Sequence, residues 1–142
     1  MNKNVEFLNF IYQNSKMGII GIESIKKSIH DDEFLKVINE QNNDYYSICT
    51  KAIKLLSFYN NERQNVSQMA KVMTYMDAHM KLMKDESINN IAKMMIEGNT
   101  KGVVEITEKI RIYSEADKQV VKLAKELLKI EKRNINNLKK YI

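Results

Sequence analysis

The chain has 142 residues, which is the usual size of one domain with its own core. A single cysteine, Cys49, excludes an intramolecular disulfide, and no apolar run approaches the ~20 residues that span a bilayer. Basic residues outnumber acidic ones by 23 to 18, so the net charge of +5 permits an anionic partner without requiring one. Proline is absent and good helix formers are abundant, which predicts an all-α fold. The N-terminus has no signal-peptide pattern, which predicts a cytoplasmic protein.

Two long helices with a short connection are predicted in the first part of the chain. The first covers residues 4–29, and its apolar seam contains Leu8, Ile11, Ser15, Gly18, Ile22, Ile25 and Ile29. Asp31 and Asp32 then provide an N-cap for a second helix over residues 32–59. Its seam contains Phe34, Ile38, Gln41, Tyr45, Ile48, Ala52, Leu55 and Tyr59. The short connection predicts that these two helices form an antiparallel hairpin.

A ladder of methionines follows a polar break at residues 60–65. Its members are spaced 4-3-4-3 along the chain: Met69, Met73, Met76, Met80 and Met83. This spacing places them on one face of a helix, which we predict over residues 67–84.

Two more long helices are predicted after the ladder. The first covers residues 86–113, is capped by Asp85 or Ser87, and has a seam of Ile88, Ala92, Met95, Asn99, Gly102 or Val103, Ile106 and Ile110. The run from Ser114 to Asp117 resembles a capping box and opens a last helix over residues 115–141. The seam of that helix contains Val121, Ala124, Leu128, Glu131, Ile135, Leu138 and Ile142.

The long connector between the two helix pairs predicts the topology. A helix of about 18 residues can return along most of the length of the preceding one. The third long helix then starts at the same end as the second, which gives an up-down-down-up bundle. The layout predicts an all-α, ferritin-like four-helix bundle with an additional Met-rich helix in the crossover.

A weak internal repeat supports two related halves. Residues 16–20 resemble residues 100–104, and each segment contains a glycine, Gly18 or Gly102, that lies thirteen residues before an acid. Gly21 and Gly98 also fall inside the predicted helices. Because each glycine costs a helix about 1 kcal/mol relative to alanine, we expect close packing at these positions.

The metal-binding pattern that often accompanies such a bundle is missing from the sequence. A di-iron bundle uses Glu-x-x-His motifs on two helices, and this chain contains none, with His30 and His79 as its only histidines. We therefore expect no di-iron centre and no cofactor. The sequence also offers no nucleophile–base set, which argues against an enzyme.

Each predicted seam contains one polar residue, and the four are Ser15, Gln41, Asn99 and Glu131. One interpretation is a polar layer that sets helix register, or seams drawn one residue off so that these side chains reach the rim. The other is a small polar cavity that holds water or a weak ligand. If Glu131 is buried, its pKa should rise.

The methionine ladder has three interpretations. One is core packing, since thioethers fill irregular surfaces, and another is a plastic apolar groove for a lipid-like ligand or a partner helix. The third is a soft-metal site, because Met76, His79, Met80 and Met83 share one face and suit Cu(I).

A stripe of lysines follows one side of the last predicted helix, at positions 118, 122, 125, 129 and 132. This pattern is typical of a solvated helix face. Because Arg is scarce and Glu126 and Glu131 interrupt the helix, the sequence disfavours a nucleic-acid partner.

The chain resembles a family of small, uncharacterised bacterial proteins with a ferritin-like bundle. The resembling segments are residues 17–25, the Met-rich connector, residues 85–98 and the closing helix. The resemblance implies the fold and a homodimer, and it implies no activity or iron ligands. From all of this the sequence predicts a non-enzymatic protein that binds an unknown protein or apolar ligand. The alternative is a metal-binding protein, with the Met76/His79 site or an atypical carboxylate site near Glu131.

Overall fold

The computed structural model of the chain describes residues 2–64 and 87–142. Over these ranges it contains four α-helices and no strand: α1 (Lys3–Lys26), α2 (Asp32–Phe58), α3 (Ile88–Ile112) and α4 (Lys118–Lys139). The all-α prediction is confirmed for this part of the chain. The helix predicted over residues 67–84 lies outside the described residues. Among the helices described, none combines the length and the apolar character needed to cross a membrane.

The starts of α2 and α3 follow from short polar caps. Asp31 is the N-cap of α2, and its Oδ1 accepts a hydrogen bond of 2.8 Å from the N–H of Phe34. Ser87 is the N-cap of α3 and accepts from the N–H of Asn90 at 3.3 Å. Each side chain thereby pairs one of the amide groups that a helix leaves open in its first turn.

Helix α1 ends at Lys26, three residues before its predicted end. The N–H groups of Ser28 and Ile29 donate to the carbonyls of Ile25 and Lys26, respectively, which tightens the chain into a turn. Ile29 is still buried although it lies outside the helix. The apolar seam therefore continues past the helix end, which is why periodicity alone placed the boundary too late.

The predicted capping box at the start of α4 is wrong. Asp117, not Ser114, is the N-cap, and it makes no side-chain capping bond. The N–H of Ala116 instead donates to the carbonyl of Tyr113 in a turn. The carboxylate of Asp117 accepts a 2.5 Å hydrogen bond from the Tyr59 hydroxyl at the end of α2. The Asp117 carboxylate, which a capping box would use inside α4, is instead bonded to the end of α2.

Contacts along α1 and α2 fix their relative direction. The amide of Asn42 donates to Glu23 at 2.8 Å, and further along, Cys49 lies 3.9 Å from the carbonyl oxygen of Tyr12. Residue numbers rise along α2 as they fall along α1, so the two helices are antiparallel.

Two ion pairs give the direction of α4 against α2. Lys51 pairs with Glu126 at 2.7 Å, and Arg133 pairs with Asp44 at 2.5 Å. Residue numbers again change in opposite directions, so α2 and α4 are antiparallel neighbours.

The buried side of α4 lies one position away from part of the predicted seam. Val120, Leu127 and Asn134 are buried beside Ala124, Glu131 and Leu138. The predicted seam residues Val121, Leu128 and Ile135 are partly buried, and Ile142 is 54% exposed. As a result, Asn134 faces inward at the place where the sequence predicted Ile135.

Candidate functional site

A hydrogen-bonded group of buried polar side chains connects α2, α3 and α4. Its centre is the hydroxyl of Tyr45, whose Oη lies 2.9 Å from Oδ1 of Asn99 and 2.9 Å from Oε2 of Glu131. The Nδ2 group of Asn134 donates to the same hydroxyl at 3.4 Å. All four residues are buried, and we refer to them as the central polar cluster.

Its setting favours the neutral form of the Glu131 carboxyl group. Burial raises its pKa from 4.5 to about 8, the Tyr45 hydrogen bond opposes that rise, and the charge of Glu105 adds to it. Burial and the neighbouring Glu131 also raise the pKa of Tyr45 well above its usual value.

Protonation of Glu131 also completes the hydrogen bonding of the cluster. A phenol has one hydrogen to donate, whereas the Tyr45 oxygen lies close to two oxygens that accept. With Glu131 protonated, its carboxyl donates to Tyr45 and the Tyr45 hydroxyl donates to Asn99. With Glu131 neutral, each short oxygen–oxygen contact of the cluster is therefore a hydrogen bond with its own hydrogen atom.

Two glycines make room for the cluster. A Cβ atom on Gly18 would lie 2.8 Å from the ring of Tyr45, and one on Gly102 would lie 3.0 Å from Oε1 of Glu131. Among residues 2–64 and 87–142, nothing lies within 4 Å of a Cβ built on Gly21 or Gly98. The close packing expected at the helical glycines is thus found at two of the four, and it is made with side chains.

A polar groove runs between α2 and α4, outside the central polar cluster, and has a volume of about 420 Å³. Its walls are built from Val37, Glu40, Gln41, Asn43, Asp44, Arg133, Asn134 and Asn137. The ion pair between Asp44 and Arg133 joins the two walls. We call this feature the α2–α4 groove.

Two carboxamides of the α2–α4 groove have atoms without a hydrogen-bond partner in the described structure. Gln41 is 2% exposed, and neither its Oε1 nor its Nε2 is paired. Asn134 is 1% exposed and its Oδ1 is unpaired, while its Nδ2 donates to Tyr45. Buried polar atoms in proteins are nearly always paired with protein or water, so these atoms require a partner, of which an ordered water is the simplest.

The four residues of the predicted polar layer have different surroundings in the structure. They are Ser15, Gln41, Asn99 and Glu131. All four are buried, but they do not form one hydrogen-bonded set. Asn99 and Glu131 meet at Tyr45, whereas Ser15 donates to the carbonyl of Ile11 in its own helix at 2.9 Å. Gln41 lies in the wall of the α2–α4 groove.

Tyr45 and Asn134 were not identified as site residues from the sequence. Tyr45 lies in the predicted seam, but its ring resembles an ordinary core aromatic and its hydroxyl gives no sequence signal. Asn134 could have been found from the spacing 120, 124, 127, 131, 134 and 138, which repeats every three or four residues. That series passes through Glu131 and ends at Leu138, so it fits the helix as well as the chosen seam.

The remaining candidate residues from the sequence fall into three groups. Met69, Met73, Met76, His79, Met80 and Met83 lie outside the described residues. Cys49 is buried, and burial raises the pKa of its thiol to about 11, which fits an inert thiol. The lysines at positions 118, 122, 125, 129 and 132 are all exposed on α4, as expected for a solvated face.

Comparison with known proteins adds no relative. Models of protein families, curated proteins and solved structures were each searched with the chain, and none of the three searches found a match. The function is therefore inferred from the geometry of this chain.

Proposed function

We propose that this chain is a non-enzymatic binding protein and that the α2–α4 groove receives its ligand. The observation that carries the proposal is the amide of Gln41, which lies in the groove wall with both polar atoms unpaired. An unpaired buried donor or acceptor costs about 1–3 kcal/mol. Both amide atoms are buried, so the Gln41 side chain must turn toward the groove before a bound molecule can supply the missing partners and remove that cost.

The proposed scaffold is a ferritin-like, up-down-down-up bundle. Its support comes from four helix pairings. Helix α1 is antiparallel to α2, and α2 to α4. The ring of Phe7 stacks on Tyr113 at 5.0 Å, and Lys109 lies over the ring of Phe10 at 5.4 Å, so α1 and α3 also run in opposite directions. The five-residue turn between α3 and α4 makes those two a hairpin. These directions fit a chain that crosses from the end of α2 back to the start of α3.

The central polar cluster does not fit the di-metal centre known from ferritin-like bundles. That centre uses several inward carboxylates and two histidines. The cluster supplies a single carboxyl, Glu131, together with a phenol and two carboxamides. In residues 2–64 and 87–142, no three His, Cys, Asp or Glu side chains are grouped as metal ligands would be. The proposal therefore assigns the cluster a structural role beneath the groove.

A metal-binding protein is the alternative function. Its soft-metal version uses Met76, His79, Met80 and Met83, which lie outside the described residues. Its carboxylate version uses Glu131, with Glu105 as the further acid whose charge acts on it. A homodimer and a docking role for the methionine ladder also stay predictions from the sequence.

Two measurements on untagged protein, purified without chelator, test the proposed function. Native mass spectrometry, paired with elemental analysis, detects a co-purifying organic molecule or metal. For a ligand that is lost on purification, side-chain amide NMR is recorded during titration with fractions of a small-molecule cell extract. The Gln41 resonance is assigned from Gln41→Leu, and Asn136, which is exposed on α4 outside the groove, is the internal control.

We expect an organic adduct, or saturable shifts at Gln41 and Asn134 with no shift at Asn136. Near-stoichiometric iron, manganese or copper would favour the alternative, and Glu131→Gln and His79→Ala would then separate its two versions. Amide signals that respond to no fraction, in protein that carries no adduct, would contradict a binding role for the groove.

A further inference from the structure

We infer that the α2–α4 groove selects an uncharged small molecule with several hydroxyl groups, such as a sugar or a polyol. The inference rests on the proposed function and adds the chemical class of the ligand. It is carried by the charges around the groove and by the donors and acceptors in its walls.

The charges disfavour an anionic ligand, and the ion pair disfavours a cation at Asp44. Glu40 and Asp44 belong to one wall and Arg133 to the other, so the groove has one more acidic than basic residue. An anion would face two carboxylates. A cation would compete with Arg133, which already holds Asp44 at 2.5 Å. An uncharged ligand leaves this ion pair intact.

The unpaired atoms are buried, so they meet a ligand only when their side chains turn toward the groove, and they then require one that both donates and accepts. Oε1 of Gln41 and Oδ1 of Asn134 need donors, whereas Nε2 of Gln41 needs an acceptor. A hydroxyl group does both with a single oxygen. Several hydroxyls on one small frame can therefore pair with both carboxamides without a fixed alternation of donor and acceptor groups.

The other residues that line the groove also favour an uncharged polar ligand. Val37 is the one apolar residue among the described walls, and these walls include no aromatic ring. A nucleobase or an aromatic ligand would find no ring on which to stack, and a lipid chain would face a polar surface. The volume of about 420 Å³ lies in the range of roughly 300–1,000 Å³ that is usual for small-molecule sites.

The groove also touches the central polar cluster through one residue. Asn134 lines the groove, its buried Oδ1 is unpaired, and its Nδ2 donates to the hydroxyl of Tyr45 at 3.4 Å. A ligand that donates to Oδ1 polarises the same carboxamide. We expect binding to shift the Asn134 side-chain resonances together with those of the Tyr45 ring.

The test is an NMR titration with probes of matched size and different charge. Glucose and myo-inositol are the uncharged probes, gluconate is the anionic probe and glucosamine the cationic one. We expect saturable shifts at Gln41 and Asn134 with at least one uncharged probe, and at least tenfold weaker binding of the charged probes. Gln41→Leu should retain the fold, because the Gln41 amide has no hydrogen bond to lose among the described residues, and should abolish the shift at Asn134. Asn136→Ala is the matched control and should bind as the unaltered protein does.

Three results would overturn the inference. The first is saturable binding of gluconate or glucosamine alone, and the second is uncharged-probe binding that Gln41→Leu leaves unchanged. The third is the absence of saturation with every probe, in which case the groove amides pair with water. If a cell-extract fraction still shifts Gln41, only the ligand class is wrong. If neither probes nor fractions shift it, the proposed function fails as well.

Discussion

Gly18 on α1 and Gly102 on α3 face the two partners of one buried hydrogen bond. Gly18 lies against the ring of Tyr45, and Gly102 lies against the carboxyl of Glu131. In each hairpin, then, the first helix has a glycine where the second helix directs a large polar side chain inward. The two side chains meet between the hairpins, so the glycines of the weak sequence repeat share one structural purpose.

Substitution of Gly18 by Ala should destabilise the fold, whereas Gly21→Ala should not. The new Cβ at position 18 would lie 2.8 Å from a buried aromatic ring that has little freedom to move. Overpacking of this kind costs about 1–3 kcal/mol. At position 21 no atom of the described part of the chain lies within 4 Å, so the higher helix propensity of Ala should stabilise by up to about 1 kcal/mol. Urea unfolding of both variants measures the difference, and equal effects would contradict the packing described for Tyr45.

Stability should fall as the pH rises between about 4.5 and 8. In this window the unfolded chain loses the Glu131 proton, whereas the folded protein, in which burial raises the pKa of this carboxyl to about 8, retains it. The free energy of unfolding should therefore decrease by up to about 1.4 kcal/mol per pH unit. Below this window both states are protonated and above it both are ionised, so the contribution of Glu131 becomes constant.

Glu131→Gln is the control for this pH dependence. Gln is neutral at all pH values and similar in shape, so the variant should lose the slope that Glu131 contributes. It should also be more stable than the unaltered protein at pH values above 8. The measurement is chemical unfolding across the pH range, and identical profiles for the two proteins would show that Glu131 titrates normally.

Cys49 should react slowly with thiol reagents in the folded protein. It is 6% exposed, and burial raises its pKa to about 11, so near pH 8 about one thiol in a thousand is ionised. The thiolate is the reactive form. Ellman's reagent should therefore label the native protein slowly and the urea-unfolded protein fast. Rapid stoichiometric labelling under native conditions would mean that α1 and α2 separate readily at this point.

Periodicity predicted the helices well because each one packs a single apolar face against the others. It also indicated that Gln41, Asn99 and Glu131 lie on inward faces, since each interrupts an apolar seam. It could not show that Asn99 and Glu131 meet at Tyr45. That contact depends on how three helices are placed in space, and a seam carries no information about its partner.

The α2–α4 groove could not be predicted from the sequence for a related reason. Apart from Gln41, its walls combine residues outside the predicted seams of two helices that are far apart in the chain. Asn134 was missed because aliphatic residues occur in both adjacent columns of α4, at 120 and 121 and again at 127 and 128. Local pattern could not choose between these columns, and only packing against α2 and α3 makes the choice.

Removal of the Tyr45 hydroxyl should act on stability and on the titration of Glu131 together. Tyr45→Phe leaves Asn99 Oδ1 and the Glu131 carboxyl without their shared partner, which should cost about 1–3 kcal/mol. When Glu131 ionises, the Tyr45 hydroxyl donates to its carboxylate and so lowers its pKa, which means that loss of the hydroxyl should raise that pKa above 8. The decline of stability with pH should then continue to higher pH than in the unaltered protein. Tyr46→Phe, at a neighbouring position that is 47% exposed, should change neither property. Urea unfolding at several pH values distinguishes the outcomes. A loss of stability with an unchanged pH window would mean that Tyr45 only fills space.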